Sequence, residues 1–271
     1  MNTKVLGLAC IATLTAPAAW GLEKELQVGP DELRGNLELM NQHWSPGASA
    51  VINPSSTGHA SGDYRFYDVG VHVDGYMALD GNPGSGPLNI TDFETTEITG
   101  RLDYLFEVEN IVQVLPFIEL TAYPFFDGKS KYNWIGIEGW YMTPLEGLEL
   151  GGSMQYNLAD NTISGVNEHY VLTDLGARYF HQEAPLDVSA WSVLEIANRA
   201  YNRQLSGANY QGATTFNLGG QATLPLPWES TWTYLKVDSY WYVDSVERKE
   251  LAKAGRDKTE LVFALGFEYR N

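Results

Sequence analysis

His72 stands near two acidic residues, Asp68 and Asp74, at even spacings. Residues of like parity share one face of a β-strand, so a base and two carboxylates would meet on one wall. Such a trio has the chemistry to bind a metal ion or to orient a general base. It is equally ordinary wall lining, and no second histidine shares that strand to complete a ligand set, so lining is the reading taken. His169 and His181 fall near the ends of other segments, and neither has a Gly-x-Ser-x-Gly nucleophile motif nearby. There is no phosphate loop, zinc signature or calcium loop in the chain. No catalytic residue, metal site or cofactor is therefore assigned, and the chain is not read as an enzyme.

The elements that would position these side chains show a two-residue period. At the C-terminus Leu261, Phe263, Leu265, Phe267 and Tyr269 alternate with Val262, Ala264, Gly266, Glu268 and Arg270, giving one continuous apolar face. Thr96, Ile98, Gly100, Leu102, Tyr104 and Phe106 alternate with Glu97, Thr99, Arg101 and Asp103, and Leu148 to Tyr156 repeats the pattern. Further segments lie near 33-43, 64-79, 111-126, 131-143, 170-181, 186-200, 212-225 and 231-244. Short connections at Glu109-Asn110, Pro144 to Gly147, Gln182 to Pro185 and Pro225 to Ser230 alternate with longer ones at 80-92, 127-130, 158-169, 201-211 and 245-258. Tight turns alternating with longer polar loops is the pattern of an up-and-down membrane barrel. The segments number eleven and a barrel with both ends on one side needs an even count, so a twelfth strand is expected at 48-56.

In such a barrel the apolar positions face lipid and the others face inward. The inward acidic candidates are Glu38, Asp68, Asp74, Glu97, Asp103, Glu119, Glu138, Glu149, Asp174, Asp187, Glu195, Asp238 and Glu268. The basic ones are Arg34, Arg101, Arg178, Arg199, Lys236 and Arg270. With His72, these are the expected lumen-lining residues, and the excess of acid favours cations or neutral polar solutes. The same charges, paired across the interior, would instead close it. Tyr104, Phe106, Tyr141, Tyr156, Tyr179, Trp241, Phe267 and Tyr269 are expected on outward faces, where amphipathic rings favour the headgroup zone. Trp134 and Trp140 are expected inside, and Pro116 and Pro124 predict a bulge or bend in their strand.

The totals agree with this pattern. The chain has 271 residues, with 27 Gly, 16 Tyr, 10 Phe and 8 Trp, a composition that suits strands, tight turns and interfacial aromatics. Lys4, the apolar stretch Val5 to Leu14 and the small residues of Ala19-Trp20-Gly21 predict a cleaved leader over 1-21, then a short periplasmic segment at 22-32 and a barrel over 33-271. That apolar stretch is too short to cross a bilayer as a helix. The one cysteine, Cys10, lies in the leader. Without Lys4 the remainder carries 16 basic against 34 acidic residues, a formal charge of -18, which argues against nucleic acid as a partner.

The order of features from residue 33 onward resembles that of Gram-negative outer-membrane porins. It is more specifically similar to the TorF-type porin family, through Val71 to Leu79, then Phe93-Glu94-Thr95-Thr96-Glu97-Ile98 with Leu102-Asp103-Tyr104, then Trp134 to Pro144 and Leu148 to Tyr156. The likeness covers most of the chain after the leader as strand rhythm and degenerate residues. It implies an outer-membrane porin with lipid, small solutes and the barrel-assembly machinery as partners, and with homo-oligomers open to it. Such barrels usually end in Phe; this chain ends Phe267-Glu268-Tyr269-Arg270-Asn271, so Tyr269 would take that part. The expectation is an all-β, antiparallel, up-and-down transmembrane barrel of about 12 strands. The alternatives in function are a closed structural barrel and a lipid-modifying barrel enzyme.

Overall fold

The computed structural model describes residues 31-45, 50-53, 56-79, 94-109, 111-122, 131-158, 169-183, 185-206, 209-253 and 259-271. The expected leader lies outside them. The strands are β1 (Asp31–Met40), β2 (His43–Ser45), β3 (Ala50–Asn53), β4 (Thr57–Phe66), β5 (Val69–Ala78), β6 (Glu94–Tyr104) and β7 (Phe106–Val108). They continue with β8 (Val112–Ala122), β9 (Lys131–Met142), β10 (Leu148–Asn157), β11 (Val171–Glu183), β12 (Leu186–Ala197), β13 (Gly212–Pro225), β14 (Thr231–Tyr242) and β15 (Thr259–Arg270). Two helices, α1 (Arg199–Ser206) and α2 (Ser245–Lys253), follow β12 and β14.

All pairings are antiparallel between successive barrel strands, and β1 closes the ring on β15, with Gly35 opposite Tyr269, Leu37 opposite Phe267 and Leu39 opposite Leu265. β6 and β7 are two parts of one barrel strand, both paired to β8, which makes a closed 12-strand barrel. The interruption between them has a cause in the sequence. Pro116 on β8 lacks an N–H and sits opposite Tyr104, where the pairing to β8 lapses, while the Leu105 amide continues the ladder on the β5 side by donating to the carbonyl of Asp68 at 2.7 Å. The register of β8 is the same on both sides of the gap, so the expected bulge at Pro116 is a skipped pairing and not a slip. Pro124 lies outside the described residues.

The twelfth strand is not at 48-56. Residues 50-53 pair with 43-45 as a separate two-stranded hairpin, and the inward-running barrel strand is β4. Two features hid it. The turn after β4 is Tyr67-Asp68, with Tyr67 at φ 52° and neither Gly nor Pro to mark it, so 64-79 read as one segment. The outward positions of β4 also begin with Gly58, Ala60 and Gly62, too small to give an apolar rhythm.

The tight connections at 67-68, 143-147 and 226-230 gather at one end with the short turn after β7 and the one before β12. The loops holding the hairpin, α1 and α2 gather at the other. Outward-facing side chains form an apolar belt: Leu37 is 56% exposed, Leu120 and Leu235 61%, Met154 57%. Aromatic rings collar the turn end, including Tyr64, Phe66, Tyr104, Tyr141, Tyr179, Trp228 and Tyr269. An exposed apolar surface this continuous is disfavoured in water, whereas an apolar band flanked by aromatics is the outer surface of a transmembrane barrel. Barrel-spanning strands of ten to fourteen residues, tilted about 40°, match a band about 25 Å tall.

Candidate functional site: the barrel interior and its loop-end mouth

The inward positions of β1, β4, β5 and β6 carry a web of charges. Glu38 receives Nδ1 of His59 at 2.7 Å, the Tyr234 hydroxyl at 2.7 Å and the Lys236 ammonium at 3.2 Å. The other nitrogen of His59 meets Asp74 at 2.7 Å, and its ring stacks on Tyr76 with centroids 4.3 Å apart. One step toward the turn end, His72 repeats the arrangement, with Nδ1 on Asp63 at 2.5 Å and Nε2 on Asp103. Asp103 also accepts Arg65 at 2.8 Å. Each imidazole thus has a carboxylate on both nitrogens, an arrangement satisfied when both carry protons.

The inward positions of β8 to β14 are built from planar groups. The Arg178 guanidinium donates to Glu149 at 2.6 Å and lies 3.9 Å over the Trp140 ring. Trp140 donates its indole N–H to Glu138 at 2.7 Å, and Glu138 accepts Arg101 at 2.8 Å, whose guanidinium covers Phe117 at 4.1 Å. Trp191 donates to Asp238 at 2.9 Å, which also accepts Asn217 at 3.2 Å. Glycines make room for the rings: a Cβ at Gly136 would meet Phe117, one at Gly151 would meet Trp140, and one at Gly219 would meet Trp191. These three inner-face glycines are therefore seats for aromatic neighbours and not open space.

His72, Asp74, Glu97, Asp103, Glu119, Glu138, Asp174, Arg178, Glu195, Lys236, Asp238 and Glu268 are all buried in the interior. Arg101 and Arg270 lie there half-buried on Glu138 and Glu268. Glu38 and Glu149 join them. Asp68 does not: it sits in the β4–β5 turn, where it accepts the Tyr104 hydroxyl at 3.0 Å. Arg199 is also off the wall, exposed at the start of α1. The expected His72 trio is divided, since Asp74 serves His59 while His72 takes Asp63 and Asp103. His59, Asp63 and Arg65 were missed because β4 was missed, although His59, Ser61, Asp63 and Arg65 alternate with Gly58, Ala60, Gly62 and Tyr64. Among the described residues no group of three or more His, Cys, Asp or Glu is set to hold a metal ion.

At the loop end α1 turns into the barrel. Asn198 caps it, its side-chain oxygen accepting the Tyr201 amide at 3.1 Å. Ala200 and Tyr201 are buried with Phe117, Tyr132, Trp134, Tyr170, Leu172 and Ala197, inward groups of the neighbouring strands. Tyr132 stacks on Trp134 at 5.6 Å, and Tyr170 meets Tyr201 edge-on at 5.7 Å. Asn202 donates to the Tyr210 carbonyl at 3.2 Å and accepts Thr214 at 3.0 Å. α2, capped by Asp244 through the Val246 amide at 2.6 Å, touches α1 and buries Glu247 fully.

No family profile matches the sequence, and no curated protein matches it. Solved structures do. The NanC porin is 10% identical and aligns over 88% of this chain and 98% of its own, with a TM-score of 0.51. The KdgM porin, at 8% identity, aligns over 88% and 98% with a TM-score of 0.48. An outer-membrane channel from Pseudomonas putida F1, at 10% identity, aligns over 95% and 100% with a TM-score of 0.48. At such identities the likeness speaks for architecture, and the NanC superposition agrees with the strand pairings: the chain has the closed antiparallel barrel fold of an outer-membrane porin.

Proposed function

We propose that the chain is a porin-like protein of a bacterial outer membrane, exported through its leader, that passes small polar solutes with preference for neutral and cationic ones. The observation that carries this reading is a polar, carboxylate-rich interior inside a closed barrel with an apolar outer belt. Asp74, Glu97, Asp103, Glu119, Glu138, Glu149, Asp174, Glu195, Asp238 and Glu268 are buried in the strands, against Arg65, Arg178 and Lys236 among the lysines and arginines. A soluble barrel would fill its interior with apolar side chains, and interior charge of one prevailing sign favours passage of ions of the other. Asp68 and Arg199 drop out of the lining set, and His59, Asp63 and Arg65 enter it. The turn end would face the periplasm and the helix-bearing loops the exterior.

The interlocked interior supports a second reading, a closed structural barrel: Trp134, Trp140, Trp191 and Arg178 are at most 2% exposed. Planar-bilayer recording of the purified chain under a salt gradient separates the two. The proposal predicts unitary steps whose reversal potential has the sign of cation preference. An anion-selective reversal potential would overturn the solute class, and membranes that stay silent with folded protein would favour the closed barrel.

A further inference from the structure

The two loop-end helices meet outside the strands, where Tyr210 makes a part-buried contact with α2. Tyr210 lies between α1 and β13, and its hydroxyl is 2.8 Å from the Ala213 carbonyl and 3.1 Å from Oε2 of Glu247 on α2. A phenol has one proton and cannot donate it to both acceptors. Both bonds form when Glu247 is the protonated acid: Glu247 then donates to Tyr210, and Tyr210 donates to Ala213. Among the described residues the other carboxyl oxygen of Glu247 is buried with no hydrogen-bond partner, a position that a neutral acid tolerates far better than a carboxylate.

We propose that α1 and α2 form a lid over the loop-end mouth, held closed while Glu247, buried beside Tyr210, is a neutral acid and released when it loses its proton. α1 supplies the part that fills the mouth, through Ala200 and Tyr201 among the inward aromatics. Asn202 ties the same helix to the Tyr210 carbonyl and to Thr214 on β13, so Tyr210 links α1, α2 and the barrel.

The surroundings of Glu247 favour this direction. Burial first, then Asp244 at the start of α2, pushes its carboxyl up to about 8, while the Tyr210 contact pulls the other way. Burial and Glu247 in turn raise the Tyr210 phenol. From α1 the charged groups are Arg199, which is exposed, and Arg203, which donates to Asn209 at 3.0 Å. From β13 the facing polar group is Thr214, and on α2 itself Arg248 and Lys249 are exposed. The closed lid holds the Glu247 proton more tightly than an open one with an ordinary value of 4.5, so closure is fully favoured below 4.5 and is lost as pH rises through about 8.

The test uses the refolded chain in detergent and in planar bilayers, at pH 6 and pH 9. Amide hydrogen exchange, corrected for the intrinsic rate, should be up to about a hundredfold faster in α1 and α2 at pH 9, with the strands unchanged. Glu247→Gln, whose amide also donates to Tyr210, should stay protected at both values, and Tyr210→Phe should exchange fast at both. Conductance should rise with pH in the unmodified chain and not in Glu247→Gln. Equal helix protection at pH 6 and 9, or an unchanged pH response in Glu247→Gln, would overturn the latch. The conductance arm rests on the porin reading: helices that respond while no current flows would sink that reading and leave the latch standing. Steady current with unresponsive helices would do the reverse.

Discussion

The two halves of the interior hold their charges by different means. On the β1–β4–β5–β6 side partners converge: Glu38 is met by His59, Lys236 and Tyr234, and Asp103 by His72, Arg65 and Arg101. On the β8–β14 side flat groups are layered: Arg178 over Trp140, Trp191 over Gly219, and Phe117 at the seam beneath Arg101 of β6. Converging charges are redundant, because removing one leaves others in place. Layered packing is not, because each guanidinium serves as both a charge partner and a contact surface.

The largest effect tests the layered side. Arg178→Ala strips Glu149 of its guanidinium and Trp140 of its cover, and is expected to cost about 3–5 kcal/mol, read as a lower urea midpoint of the heat-modifiable band. Adding Glu149→Gln should restore part of that loss, since the uncompensated carboxylate is then gone. Next comes His72→Ala on the converging side. Asp103 keeps Arg65 and Arg101, so the loss should be about 1–3 kcal/mol. A loss equal to that of Arg178→Ala would erase the contrast between the halves.

The smallest effect lies away from both walls and calibrates them. Gly147 has φ 78° in the β9–β10 turn, and a Cβ there would collide with the carbonyl of Phe180. Gly147→Ala should cost about 1–2 kcal/mol without altering the reversal potential in bilayers. A change in selectivity would show that the turn end, and not the walls alone, shapes passage.

The sequence by itself determined the outer face and the closure of the barrel. Lipid selects each outward position separately, so Leu261, Phe263, Leu265, Phe267 and Tyr269 announce their face without reference to any other strand. The same local rule found most strand spans, the side of Trp134 and Trp140, and the need for an even count. It failed at β4, where Tyr67-Asp68 makes a turn with neither Gly nor Pro and Gly58, Ala60 and Gly62 leave the outward face without a rhythm. Only the tertiary structure decided which inward groups meet, because cross-strand partners depend on register between segments far apart in the chain. That is why Asp74 belongs to His59 and not to His72, why Gly151 and Gly219 sit beneath indole rings, and why Glu247, an ordinary acid in a polar loop by sequence, becomes a buried one against Tyr210.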